Sequence, residues 1–162
     1  MKGAFMKRLV IFALIFTFCL TSLSSCTLVQ DTQEAEALLK DFVSAIANKD
    51  FEKAMTYIHP ASGITQTDLE EAITEFESNF IIDLSKGVEF QERTQLRTHS
   101  SSSVYPKQTQ TQIFLGYNAL IDGKTFDLEA VVCKNEGGFG ILSFSLTMGI
   151  ELSSSYAEFI TK

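Results

Sequence analysis

Among the residues able to move protons, Glu92 fits its surroundings worst. In "GVEFQERTQLRTH" one side carries Glu89, Gln91, Arg93, Gln95, Arg97 and His99, and the other Val88, Phe90, Glu92, Thr94 and Leu96. A period of two with one charged side is the pattern of a β-strand. An unpaired carboxylate on its apolar side is costly to bury. Two readings stand: a β-bulge near Glu92 shifts the register, or this end of the sheet borders a polar cleft. In the second, Glu92, Tyr117 and Tyr57 are the candidate ligand-binding residues. A buried glutamate beside a phenol could then carry proton transfer in a lyase, isomerase or hydrolase acting on a small apolar molecule.

The remaining reactive side chains have plainer expectations. His59 precedes Pro60 at the end of an expected helix, where an imidazole can satisfy last-turn carbonyls. His99 lies on the charged side of its strand and reads as solvated. Cys133 falls by parity opposite Phe126–Val132, with no neighbour in sequence that would activate a thiolate. Two histidines 40 residues apart and one cysteine outside the N-terminal stretch make no metal-ligand spacing, so no metal or cofactor is expected. Gly137, Gly138 and Gly140 sit in and after a hairpin turn, where positive φ explains them without a phosphate loop. No Ser–His–Asp pattern is present, and no catalytic residue is assigned.

These residues belong to a chain of 162 residues, enough for one domain with an extension. With 45% hydrophobic residues and 14 Phe the chain has the means to pack a core. Lys2, Lys7 and Arg8 fall in the first 25 residues and no acid does, which leaves 10 basic residues against 20 acidic in the remainder. A net charge of −10 there repels phosphate backbones, so nucleic acid is excluded as a partner.

The N-terminus runs from basic ("MKGAFMKR") through apolar ("LVIFALIFTFCL") to small residues ("TSLSSC"). That order is the layout of a secretory signal peptide. Leu9–Leu20 as a helix would cover about 18 Å, too short for a hydrocarbon core of ~30 Å. "LSSC" resembles the lipobox of bacterial lipoproteins: aliphatic Leu23, small Ser24 and Ser25, then Cys26. The resemblance implies cleavage after residue 25, lipidation of the Cys26 thiol, and a lipid-anchored protein on the extracytoplasmic face of a bacterial membrane. Two or more acyl chains, palmitate among them, anchor stably where one does not. Residues 26–33 then form a short tether of about 23 Å for Thr27–Gln33 if extended, and 34–162 a single domain.

Within that domain the period is first helical. Ala35, Leu38, Leu39, Phe42, Val43 and Ile46 recur at three and four. Asp50 can cap a second helix with Phe51, Ala54, Met55 and Ile58 inward. "TDLE" (Thr67–Glu70) reads as a capping box opening a third helix with Leu69, Ile73, Phe76 and Phe80 inward. Beyond Val88 the period changes to two. Ser100–Ser103 and Pro106 mark a loop, Asp122–Gly123 and Asn135–Gly138 are hairpin turns, and Leu142, Phe144, Leu146 and Met148 face the core. The tail "SSSYAEFITK" suits a short terminal helix.

Three helices followed by about four antiparallel strands predict an α+β fold, with the helices on one face of a curved sheet. "EAEALLKDFVSAIANKDFEKAMTYIHP" resembles the opening helix hairpin of the nuclear transport factor 2-like (cystatin-like) superfamily, especially its small bacterial lipoproteins. The resemblance implies a cone with a pocket between sheet and helices, used by some members for catalysis and by more for binding. The expectation is a non-enzymatic binding or interaction module. Its partners would be the membrane through Cys26 and either an envelope protein or a small apolar ligand. The charged outer sheet face, with Arg93, Arg97, Asp127 and Glu129, argues for a monomer or weak dimer.

Overall fold

The computed structural model describes residues 29–104, 107–148 and 156–158. The expected signal peptide, Cys26 and the lipobox lie outside them. Residues 29–47 are helical (α1), so the first helix begins at Val29, within the segment expected as a short tether. The body begins at Ala35.

Asp50 joins the first two helices. The Asp50 amide donates to Ala45 O and the Lys49 amide to Ile46 O, both at 2.9 Å, with Lys49 in the left-handed region at φ 58°. This pair of bonds is a Schellman closure. The Asp50 carboxylate then accepts from the Lys53 amide at 3.0 Å and starts α2, Phe51–Met55. The sequence suggested a helix reaching Ile58, but α2 stops at Met55. The chain beyond it is drawn into a parallel bridge: the His59 amide donates to Ile141 O and the Ile141 amide to Tyr57 O, each at 2.8 Å.

Helix α3 (Gln66–Phe80) is capped two residues earlier than expected. Thr65 is the N-cap and Asp68 completes the capping box. This frame puts Ile64 and Leu69 at the two apolar staple positions, whereas a cap at Thr67 would have put Gln66 and Glu71 there. At the far end Ile81 takes φ 51° and is 83% exposed, and Lys124 Nζ donates to the Phe80 carbonyl at 2.6 Å.

The sheet is antiparallel with its strands in chain order: β1 Val88–Val104, β2 Lys107–Ile121, β3 Lys124–Asn135, β4 Gly138–Met148 and β5 Tyr156–Glu158. The four long strands match the expectation. The serine run, expected as a loop, is strand instead, with Ser100 opposite Thr111 and their hydroxyls 3.2 Å apart. The tail contributes a strand rather than a helix, β5 pairing with Ser145–Thr147. Asp122 (φ 48°) and Gly123 (φ 77°) form the two-residue β2–β3 turn, as a primed hairpin turn requires. A bulge at Leu142 turns Ile141 toward the core in its place.

The helices cover one face of this sheet, giving an α+β architecture. The aromatic contacts fix the layers: Phe42 of α1 meets Phe144 of β4 at 5.1 Å between ring centres, and Phe76 of α3 meets Phe126 of β3 at 5.2 Å. Ile113, Leu115, Ala119, Ile121, Leu128 and Val132 fill the sheet side between them. No helix among the described residues is long and apolar enough to cross a membrane.

Candidate functional site

Strand β1 departs twice from regular pairing with β2. Phe90 pairs with Ala119 and Arg93 with Tyr117, so β1 spends one residue more than β2 over that step; Arg93 to Gln95 against Tyr117 to Gly116 repeats the excess. One extra residue reverses the faces of everything that follows, and a second restores them. Only Arg93 falls between the two. It was expected on the outer face beside Arg97, and the first bulge turns it to the helix side. There Arg93 Nη1 donates to Glu36 Oε1 of α1 at 2.5 Å. After the second bulge Leu96 returns opposite Leu115 and Thr98 opposite Ile113.

The closeness of the second bulge depends on Gly116. A Cβ there would lie 2.8 Å from Thr94 Oγ1, 2.9 Å from Gln95 Cβ and 3.3 Å from the Gln95 amide nitrogen. Its need for glycine is therefore one of space.

Tyr117 is buried against this ion pair, 6% exposed, with its ring edge-on to Phe90 at 5.3 Å. Burial pushes the phenol pKa up to about 12, helped by the Glu36 carboxylate, which accepts from it, and opposed by Arg93. The carboxylate acting on Tyr117 is thus Glu36. Glu92 is exposed at the bulge. Of the two readings of Glu92, the structure has the register shift. Tyr57 is half-buried against β4 at Ile141, two strands from Tyr117 in the sheet order, so the three candidates do not converge. The group assembled is Glu36–Arg93–Tyr117. A phenol that keeps its proton to about pH 12 can donate a hydrogen bond, but it is not a base at neutral pH. The Glu36–Arg93 pair, with side chains 23% and 47% exposed, is worth at most about 1 kcal/mol.

His59 is not a helix-end group satisfying carbonyls. It is 2% exposed and caps the 3₁₀ turn Pro60–Ser62. Its Nδ1 accepts from the Ala61 amide at 3.1 Å and its Nε2 lies 3.2 Å from Asn135 Oδ1, which also accepts from the Gly137 amide at 2.8 Å. The acceptor role of Nδ1 places the ring proton on Nε2. Cys133 shares a face of β3 with Asn135 and is 1% exposed; burial pushes its thiol pKa up, and Gln110 Nε2 meets Sγ at 3.4 Å. Since His59 Nδ1 is taken by Ala61 and the thiol by Gln110, these three side chains form no nucleophile relay. His99 is exposed. No group of three metal-ligating side chains occurs among the described residues.

Sequence reasoning missed Glu36 and the inward turn of Arg93. The signal for the latter was present as the misplaced Glu92. Glu36 gave none, since it sits at the edge of α1's apolar stripe. Among the described residues, open depressions occur along Glu70, Glu71, Thr74 and Glu75 of α3 and at Lys86–Glu89 beside Asp122. Neither contains the Tyr117 group. No family model, curated protein or solved structure matches this chain.

Proposed function

We propose that the chain is a membrane-anchored extracytoplasmic lipoprotein that works as a non-enzymatic binding module. The address rests on the lipobox-like "LSSC" before Cys26. The resemblance to small lipoproteins of the nuclear transport factor 2-like superfamily belongs to the same proposal. Binding is carried by one observation. Strands β1 and β2 run on past Thr111, where pairing with β3 ends, as a two-stranded ribbon whose Ser100–Ser102 are exposed. A two-stranded ribbon is barely stable by itself in water. An extension of this kind that adds little to a core is better explained by contact with another molecule. The enzyme alternative needed Glu92 and Tyr117 in one cleft; Tyr117 instead packs with Glu36 and Arg93, and Glu92 is in solvent.

The test is site-specific photo-cross-linking of the full-length chain in cells, with the photoreactive residue at Ser101 or, as control, at Glu71. The expected result is a discrete adduct in the membrane fraction from Ser101 alone, with Cys26→Ala releasing the chain from that fraction. Identical adducts from both positions, or none from either, would remove the binding reading. Retention of Cys26→Ala in the membrane would remove the lipid anchor.

A further inference from the structure

The two edges of the sheet are treated differently. On the β4 side, β5 pairs with Ser145–Thr147 and the Tyr57–His59 segment bridges Ile141. On the other side β1 has no second neighbour in the sheet among the described residues. From Gln95 to Ser102 its register with β2 is unbroken. This stretch contains no proline, lysine or bulge, and its one guard against edge pairing is the charge of Arg97. Half of its main-chain N–H and C=O groups point away from β2, as in any antiparallel pair.

Charge adds a direction. From Arg93 to Ile121 the sequence has no acid, while Arg93, Arg97 and Lys107 are basic. The rest of the chain from Cys26 carries 7 basic residues against 20 acidic. Arg97 and His99 share the outer face of β1 and are both exposed; Leu96, on the other face, is 41% exposed. Pairing of this edge with a second copy of itself would supply no acid opposite Arg97. An incoming strand with acids at alternate positions and aliphatics between them would match both faces.

We propose that Gln95–Ser102 of β1 is a docking edge for an extended acidic segment of a partner protein. The segment adds as a further strand, main chain to main chain, with its carboxylates opposite Arg97 and His99. This rests on the binding-module reading and names the surface and the chemistry of the partner.

The test uses the full-length protein in detergent micelles and a capped peptide, Thr-Glu-Val-Glu-Thr-Glu-Val-Glu, with a Lys-for-Glu peptide as control. Amide hydrogen exchange is read residue by residue. With the acidic peptide, every second amide of Gln95–Ser102 slows by roughly tenfold or more, while the alternate amides, already bonded to β2, do not change. Arg97→Glu, an exposed substitution, weakens the acidic peptide by roughly fivefold and favours the Lys peptide. Three results would overturn the proposal: equal binding of the two peptides, peptide binding without protection of the outward amides, or protection of the outward amides before any peptide is added. The last would mean that the chain itself or a second copy covers the edge. If the peptide fails while Ser101 still gives its adduct in cells, this proposal falls and the binding-module reading survives.

Discussion

Gly116→Ala tests whether the paired bulges build the Glu36–Arg93–Tyr117 group. The added methyl would sit 2.8 Å from Thr94 Oγ1 and 2.9 Å from Gln95 Cβ, where ordinary contacts are several tenths of an ångström longer. The hydroxyl can rotate away. Gln95 Cβ is fixed to the backbone, so β1 itself must move out at the second bulge. Overpacking of this kind costs ~1–3 kcal/mol, offset by the ~0.5–1 kcal/mol that alanine gains over glycine in a strand. A net loss of about 1–2 kcal/mol follows, or a fall in Tm of roughly 3–8 °C for a body of this size. Urea unfolding followed by circular dichroism gives the stability, and amide chemical shifts give the location, which should be confined to residues 91–97, 114–118 and Glu36. Adding Thr94→Ala should recover only part of the loss, since the Gln95 contact stays. Gly123→Ala is the control: nothing lies within 4 Å of its Cβ site, φ is +77°, and only the turn should suffer. If Gly116→Ala is as stable as the parent, or more so, the bulge does not depend on close approach and the account of Arg93 is wrong.

Gly140→Ala should cost about 2 kcal/mol in urea unfolding. Its Cβ would lie 2.8 Å from the His59 amide nitrogen and 3.0 Å from Tyr57 O, both backbone, which displaces the two bonds to Ile141. Ile81→Asn should stabilise by about 0.5–1 kcal/mol, because a β-branched residue at φ 51° is strained and this one, 83% exposed, packs little. Tyr117 holds its proton to about pH 12 when folded against 10.0 ordinarily, so its share of stability is whole below pH 10 and lost as pH climbs through about 12. The alkaline fall in Tm over that window should therefore be shallower in Tyr117→Phe, and equal slopes would contradict the assignment. Cys133, buried with a raised pKa, should stay unmodified by a thiol reagent in the folded protein and react once unfolded.

The helix faces and strand faces were legible because burial leaves a periodic trace. Leu39, Phe42 and Ile46, like Ile113, Leu115 and Ala119, are buried as their spacing implies. What escaped were decisions made by neighbours distant in sequence. Ile58 has the right spacing to continue α2, but the free edge of β4 at Ile141 recruits the backbone around it. Ser100–Ser103 has loop composition, yet an equally polar partner stretch, Gln108–Thr111, lies opposite and pairs with it. Between Thr65 and Thr67 the capping chemistry is nearly the same, and the choice fell to the apolar flanks, Ile64 and Leu69.

The site shows the limit most sharply. A single bulge in β1 would have been visible, because every later residue would carry the wrong polarity for its parity. Two bulges on either side of Arg93 cancel: Val88, Phe90, Leu96 and Thr98 obey one alternation from end to end, and the sequence looks unbroken apart from Glu92. The same cancellation gives the device its use. It turns one cation inward to the Glu36 carboxylate and the Tyr117 phenol, and hands the remaining strand back in register. From Gln95 on, β1 presents Arg97 and His99 outward along a straight edge. Arg93→Gln should abolish the ion pair while keeping the β1–β2 pairing from Gln95 to Ser102, which the Glu36 chemical shifts and amide exchange would report separately.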